Sequence, residues 1–270
     1  MDPRFREGRL YVRDERPFAV QRPPAALFYY SLDRRKGEHP RDHLKAFRGT
    51  IHADGYAGFN ELFAGNRISE AACWAHVRRK FFDVHAATGS PIAKEALDRI
   101  GQLYRVEQAI NGAPSDERRR ERQRCSKPIA EALRSWADET VRKLSRKSEL
   151  AAAFRYMRAR WAALVRSFDD GRLALDNNPA ERALRGVAIG RKNYLFAGSD
   201  AVGLQPTGLT RGGRRAAAMY SLIESAKLNG INPQLYIADV LARIADHPAR
   251  RIADLLPWNW KPAEPSRAAA

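Results

Sequence analysis

Gly49-Thr50-Ile51-His52-Ala53-Asp54-Gly55-Tyr56 is a short apolar run that ends on an acid and turns at a glycine. A strand over Gly49 to Ala53 delivers Asp54 to its C-terminal end, where α/β proteins put ligands. Asp-Gly is also a common turn pair, so on local sequence alone an Asx turn with Gly55 is the stronger reading. Tyr56 to Phe63 has the spacing of a short helix, and Ile68 to Trp74 that of another strand. Upstream, Arg9 to Arg13 and Ala26 to Ser31 are strand-like, joined through Pro17 and Gln21-Arg22-Pro23-Pro24 in a hairpin-like connection. Gly37 to Phe47 has helical spacing, with Leu44 and Phe47 inward. Strand, strand, helix, strand, helix, strand is a mixed α/β order.

From Ala75 to about Phe168 strand signals stop and helical spacing takes over. Three apolar stripes follow: Leu97, Ile100, Leu103, Tyr104, Ile110; then Ile129, Leu133, Trp136, Val141, Leu144; then Leu150, Phe154, Met157, Trp161, Leu164, Val165, Phe168. The basic segment Arg118-Arg119-Arg120-Glu121-Arg122-Gln123-Arg124 reads as a solvated helix face. Beyond it a helix is expected from Gly213 to Leu228, ending at Asn229-Gly230. Another opens at Pro233, with Leu235, Ile237, Val240, Leu241 and Ile244 inward and His247-Pro248 as its stop. The expected organisation is therefore 1–74, a first α/β part; 75–170, a helical insertion; 171–230, a second part carrying an acidic helix start; and 231–270, a helical region and tail.

That helix start is Asp176-Asn177-Asn178-Pro179-Ala180-Glu181-Arg182-Ala183-Leu184-Arg185. With Asn178 as N-cap and Pro179 as the first helical residue, Glu181 falls at the third position, which resembles a capping box. Capping does not explain the cations that follow at Arg182, Arg185, Arg191 and Lys192. One acid followed by cations suits a metal-binding carboxylate beside phosphate-contacting side chains. His76, Arg79 and Lys80 form a basic face at the head of the helical region. Neither His76 nor His52 has a partner at metal-ligand spacing. No phosphate-binding Gly-rich loop, serine nucleophile elbow or reactive-cysteine context occurs, which removes the ATPase, hydrolase and thiol-enzyme classes.

Lys and Arg number 48 against 31 Asp and Glu, a net charge of +17, which favours a polyanionic partner, nucleic acid above all. Cys73 and Cys125 stand alone, excluding a Cys-based zinc ribbon and fitting a reducing compartment. No run approaches the roughly 18 apolar residues of a membrane span, and no signal peptide is visible, so a cytoplasmic protein is expected.

The words HADGYAGFNELF, CWAHVRRKFFD, PIAKEAL with RIGQLY, DDGRLALDNNPAERALR, GRKNYLFAGSD, RAAAMYSLIESAKLNG and DLLPWNW, in order from about residue 9 to 260, resemble the insertion-sequence-66 family of bacterial transposases. The resemblance implies an α/β fold: a ribonuclease-H-like mixed sheet, here without its first strand, with a large all-helical insertion and a helical C-terminus. It also implies an Asp-Asp-Glu metal triad. Carried over by motif, Asp54 is the second acid and Glu181 the third, both catalytic and metal-binding, with Mg²⁺ or Mn²⁺ as cofactor. Arg182, Arg185, Arg191 and Lys192 are DNA-phosphate candidates on charge and position.

The sequence departs from the family in three places. The family's first acid, in an Ala-Asp-Glu-Thr word on the first strand, would fall before residue 1. Asp138-Glu139-Thr140 carries part of that word but inside a helical stripe, and is not its replacement. The family's upstream portion is missing, and Ala201 to Thr210 reads as an added segment. A truncated gene copy would explain all three. The implied function is DNA transposition by two-metal strand cleavage and transfer, on transposon ends and target DNA. A homo-oligomer is expected when active, nucleoid-associated in a bacterial cytoplasm. The alternatives are a non-catalytic DNA-binding remnant and an interaction protein built on the helical insertion.

Overall fold

The computed structural model describes residues 9–13, 25–29, 38–53, 55, 57–65, 67–193 and 211–262. In chain order its elements begin β1 (Arg9–Arg13), β2 (Ala25–Tyr29), α1 (Glu38–His43), β3 (Gly49–Ala53), α2 (Asn60–Phe63) and β4 (Ile68–Ala72). Helices follow: α3 (Trp74–Thr88), α4 (Pro91–Ala109), α5 (Ser115–Glu121), α6 (Lys127–Arg142), α7 (Glu149–Ala159) and α8 (Trp161–Asp169). The last are α9 (Asn178–Asn193), α10 (Arg211–Leu228) and α11 (Pro233–Arg243). They divide between two compact units, 35–178 on one side and 1–34 with 179–270 on the other.

The strands expected from the sequence form two separate pairs. β1 and β2 are antiparallel with Tyr11 opposite Leu27, while β3 and β4 are parallel with Ile51 opposite Glu70 and Ala53 opposite Ala72. Among the described residues no sheet has more than two strands, and the chain is mostly helical. Several expected boundaries move. β4 stops at Ala72 and Trp74 opens α3 instead of closing a strand. α1 is shorter than 37–47, and Arg67 Nη1 collects the carbonyls of Leu44 and Lys45, each at 2.7 Å, that the helix does not use.

In the unit 35–178 the core lies among the helices. Trp74, Val77 and Phe81 of α3 meet Ile100 and Leu103 of α4, Leu133 of α6, Phe154 and Met157 of α7, and Leu164 and Phe168 of α8, all fully buried. Each element contributes an i, i+3/i+4 stripe, and burying such a stripe supplies most of a helix's stability. Trp74 ties three segments together: its indole donates to the Leu164 carbonyl at 3.0 Å and its amide to the Leu175 carbonyl at 3.1 Å. The third apolar stripe is two helices, broken at Arg160, whose backbone (φ −109°, ψ 10°) leaves helical geometry.

The basic segment 118–124 corrects the sequence reading. A π-helical turn over Arg122–Ser126 joins α5 to α6, and Arg122 is fully buried. Its guanidinium forks onto Glu107, Nε to Oε1 at 2.7 Å and Nη2 to Oε2 at 2.6 Å. Nη1 donates to the carbonyls of Ser167 and Leu173, both at 2.8 Å. A five-donor planar fork is the side chain that can saturate a carboxylate and two carbonyls at once. Arg119, Arg120 and Arg124 stay exposed, as expected of the rest of the segment.

In the other unit, α10 packs along β2. Ser225 Oγ accepts from Ala26 N at 3.0 Å and donates to Ala26 O at 3.2 Å, while Ser221 Oγ accepts from Phe28 N at 2.8 Å. Two serines one helical turn apart thus satisfy backbone groups that a further strand would otherwise take. After Leu228 the chain leaves α10 through Gly230 (φ +71°), the left-handed exit expected there. Asn232 caps α11, accepting from Gln234 N at 2.9 Å, with Pro233 at the first position. The buried face of α11 is only partly the expected one: Val240 is buried and Ile237 half-buried as expected and Tyr236 joins them, whereas Leu235 and Leu241 are 64% and 66% exposed, and Ile244 is exposed too. Tyr236 sets this phase by donating to the Leu255 carbonyl at 2.7 Å and meeting Trp260 edge-on at 5.7 Å between ring centroids.

Candidate metal and nucleic-acid site

The chain reaches the acidic helix start through a loop held from below. At Gly171 a Cβ would overlap the Ser115 carbonyl oxygen, so only glycine lets the loop cross α5 this closely. Arg122 then fixes Leu173, and Leu175 is buried against the helical core. Asp176 Oδ1 accepts from Asn178 N at 3.1 Å and Oδ2 from Asn178 Nδ2 at 2.8 Å. This Asx turn places α9 at Asn178, one residue earlier than expected, with Asp176 as the acid that organises the start.

Asp176 also faces inward chemistry. Burial, with the Asp176 carboxylate adding to it, raises the Cys73 thiol pKa to about 11, although the backbone amides of Asn177, His76 and Ala75 oppose the shift. Burial first, then the charges of Asp176 and Cys73, push the Tyr104 phenol upward as well. Asp176 lies near the Tyr104 hydroxyl without reaching it in hydrogen-bond geometry, and the hydroxyl is buried with no partner among the described residues. Cys73 is therefore a protonated, inert thiol, not a nucleophile.

Glu181 is exposed in the first turn of α9, and Arg182 and Arg185 are exposed beside it. Ala183 takes the opposite role, buried with Ala26 and Phe28 against α10 residues Ala217 and Tyr220. The arrangement leaves one acid and two cations on the outside of a helix whose small residue packs inward. Arg191 and Lys192 lie on the last turn of α9, with their side chains outside the described residues. Asp54 and the segment 201–210 also lie outside them. The described neighbours of Asp54 are Ala53, buried and paired with Ala72, and Gly55, whose φ of +82° is the left-handed turn expected after the strand.

Among the described residues no three His, Cys, Asp or Glu side chains gather as a metal site. His52 and His76 are half-buried and belong to no such group. Asp138 sits within α6 as an ion-pair partner of Arg158, 2.8 Å from its Nε, so the partial Ala-Asp-Glu-Thr word is part of a helix. Among the described residues no helix is long and apolar enough to cross a membrane.

The sequence missed a set of cations around two aromatic rings. Lys80 Nζ lies 4.6 Å and the Arg160 guanidinium 5.0 Å from the Tyr156 ring centroid, and Arg134 lies 5.5 Å from that of Trp161. Arg160 also pairs with Glu70 at 3.0 Å. Tyr156 and Trp161 read as members of apolar stripes, or as nothing, because ring faces shared with cations leave no periodic trace; only Lys80 carried a signal, in its basic run. A further open recess of about 650 Å³ is lined by Arg119, Arg120, Gln123, Arg124 and Asp169.

Comparison with known proteins places these features in a lineage. A family model described as Transposase IS66 family matches residues 8–204, and one described as IS66 C-terminal element matches residues 221–258. Three curated relatives come from Sinorhizobium fredii (strain NBRC 101917 / NGR234). Uncharacterized protein y4hP is 43% identical over 94% of this chain and 47% of its own length. Uncharacterized protein y4qI is 36% identical over 93% and 46%, and uncharacterized protein y4jD 35% over 95% and 50%. The chain thus spans about half the length of the curated relatives it matches. No solved structure matches.

Proposed function

Because this chain belongs to the IS66 family of transposases, we propose that it carries two of the three acids of a metal-dependent DNA strand-transfer site, on a ribonuclease-H-like core. What supports this most is that the family match from 8 to 204 takes in both Asp54 and Glu181, and Glu181 stands exposed with Arg182 and Arg185 beside it. Carboxylate oxygens are the donors a hard divalent cation such as Mg²⁺ takes, so the chemistry of the donor set fits. Asp54 and Glu181 would hold the ions with a third acid. When bound, the ions supply Lewis-acid stabilisation of an in-line phosphodiester displacement. The chain's own contribution is position: α9 aims Glu181 outward from its first turn, and Arg182 and Arg185 neutralise DNA phosphates alongside. Arg191 and Lys192 extend that role along the helix.

The test is nicking of a plasmid bearing the element's ends, in Mg²⁺, by this chain joined to a segment carrying the family's Ala-Asp-Glu-Thr word. Loss of cleavage in both Asp54→Asn and Glu181→Gln, with helical content unchanged by circular dichroism, is the expected result. Cleavage undiminished in Glu181→Gln would remove Glu181 from the site and leave it as a helix-start residue. Salt-sensitive DNA binding without cleavage in any form would instead support a DNA-binding remnant.

A further inference from the structure

We propose that the break between α7 and α8 is a DNA-phosphate clamp in which Arg160 exchanges its internal partner, Glu70, for a phosphate, with Lys80, which shares the Tyr156 ring, beside it. The proposal rests on the transposase reading for the identity of the polyanion; the clamp residues come from the geometry. Arg160 closes α7 and precedes Trp161, the first residue of α8, so its backbone is fixed by both helices: its amide donates to Met157 O at 3.2 Å and its carbonyl accepts from Leu164 N at 2.9 Å. From that fixed point the side chain runs to the C-terminal end of β3. A Cβ on Gly55 would overlap the guanidinium, with Nη2 the nearest atom. Gly55 follows Asp54 in the chain, so the guanidinium touches the backbone beside a candidate metal ligand.

Several observations point away from a purely internal brace. Arg160 meets Glu70 through a single contact, Nη1 to Oε1 at 3.0 Å, and not through a two-pronged fork. A structural arginine in the same unit, Arg122, uses Nε, Nη1 and Nη2 together. The Arg160 and Glu70 side chains are 22% and 24% exposed, enough for an incoming anion to reach them and too little for water to screen the charge fully. Lys80 and Arg160 share the Tyr156 ring, and Arg166 comes in from α8 to donate to the Glu70 carbonyl at 2.8 Å. Only Arg160 among these cations meets the Glu70 carboxylate, so Lys80 on the shared ring and Arg166 on the backbone carbonyl leave positive charge in excess there, which a phosphate would offset. Tyr156 and Trp161 hold the cations by their ring faces without neutralising them.

The test measures binding of the 270-residue chain to a fluorescent duplex across a NaCl series. Arg160→Gln should weaken binding and reduce the log–log salt slope by about 0.9, one phosphate contact. Arg160→Lys should keep the slope, since charge alone sets it. Glu70→Gln should tighten binding, because the competing anion is gone. An internal brace predicts another pattern: Arg160→Gln and Glu70→Gln would both lower the melting temperature and leave slope and affinity unchanged, and that result overturns the clamp. Should Arg160→Gln not fold, Glu70→Gln and Arg160→Lys carry the test, and weakened binding in Glu70→Gln counts against it. Wild-type binding with a steep slope that Arg160→Gln preserves overturns the clamp alone. No salt-dependent binding by wild type overturns the DNA reading and the clamp with it.

Discussion

Arg122 shows how one side chain can hold a loop in register. It is fully buried, forked onto Glu107, and bonded to carbonyls on both sides of the Asp169-Asp170-Gly171 corner. Removing one member of such a buried pair strands the other, so Arg122→Ala should cost about 3–5 kcal/mol in chemical denaturation. Replacing Arg119, exposed on the same segment, should stay within about 0.5 kcal/mol. Equal effects at the two positions would show that Arg122 does not carry the load assigned to it. Nothing in the run of arginines distinguishes these positions, because composition reports charge and only the π-helical turn decides which residue turns inward.

Cys73 and Tyr104 make a prediction about pH. Both hold their protons more tightly folded than unfolded, Cys73 with its pKa raised from 9.0 to about 11. Between those values the folded state binds more protons, so stability is full below pH 9 and falls as pH rises towards 11. Denaturant midpoints at stepped alkaline pH should show this fall, and Cys73→Ala should flatten the part that the thiol contributes. Native-state alkylation near neutral pH should reach half-buried Cys125 first and leave Cys73, 2% exposed, unmodified. Rapid labelling of Cys73 would contradict its burial.

At the scale of elements, the serines of α10 explain how β2 is completed. Ala26 is buried, and both its amide and its carbonyl depend on Ser225 Oγ. Ser225→Ala leaves a buried donor and acceptor unsatisfied and should destabilise by about 1–3 kcal/mol. Ser221→Ala should cost less, since its bond to Phe28 N is only part-buried. The measurement is equilibrium unfolding of the two single mutants, and the order of the two losses is the decisive readout. Strand and helix periodicity located β1 to β4 and most of the helices, because period 2 and period 3.6 are written directly into the apolar positions. Phase was harder to read. The apolar residues of α11 allow two faces, and Tyr236 selects one through a hydrogen bond to Leu255, 19 residues away, that no local pattern contains. The β1–β2 pairing was legible as a hairpin, but the helix that satisfies the remaining backbone groups of β2 was not, since serines in a helix read as polar filler until the strand edge is beside them.

At the scale of the whole molecule, charge and site meet. The first-turn position of Glu181, with Arg182 and Arg185 after it, was legible from the helix-start pattern, whereas its exposure and the inward packing of Ala183 were not. The cation–aromatic surface was not, because it is assembled from α3, α6, α7 and α8 and has no sequence neighbourhood. A net charge of +17 spread over such surfaces gives a specific expectation for DNA. Binding should be largely independent of sequence and weaken linearly in log–log form, by about 0.9 per phosphate neutralised. If α9 lies on the phosphate backbone, Arg182→Ala with Arg185→Ala should reduce the slope by up to about 1.8, while cutting affinity evenly on unrelated duplexes. The two side chains are exposed, so their loss should hardly change stability, and the slope can be read without a folding artefact. A double mutant that keeps the wild-type slope would move the DNA path off α9. The charge would then have to act through the helical unit, where Arg160 and the open recess at Arg119, Arg120 and Arg124 offer the alternative surfaces.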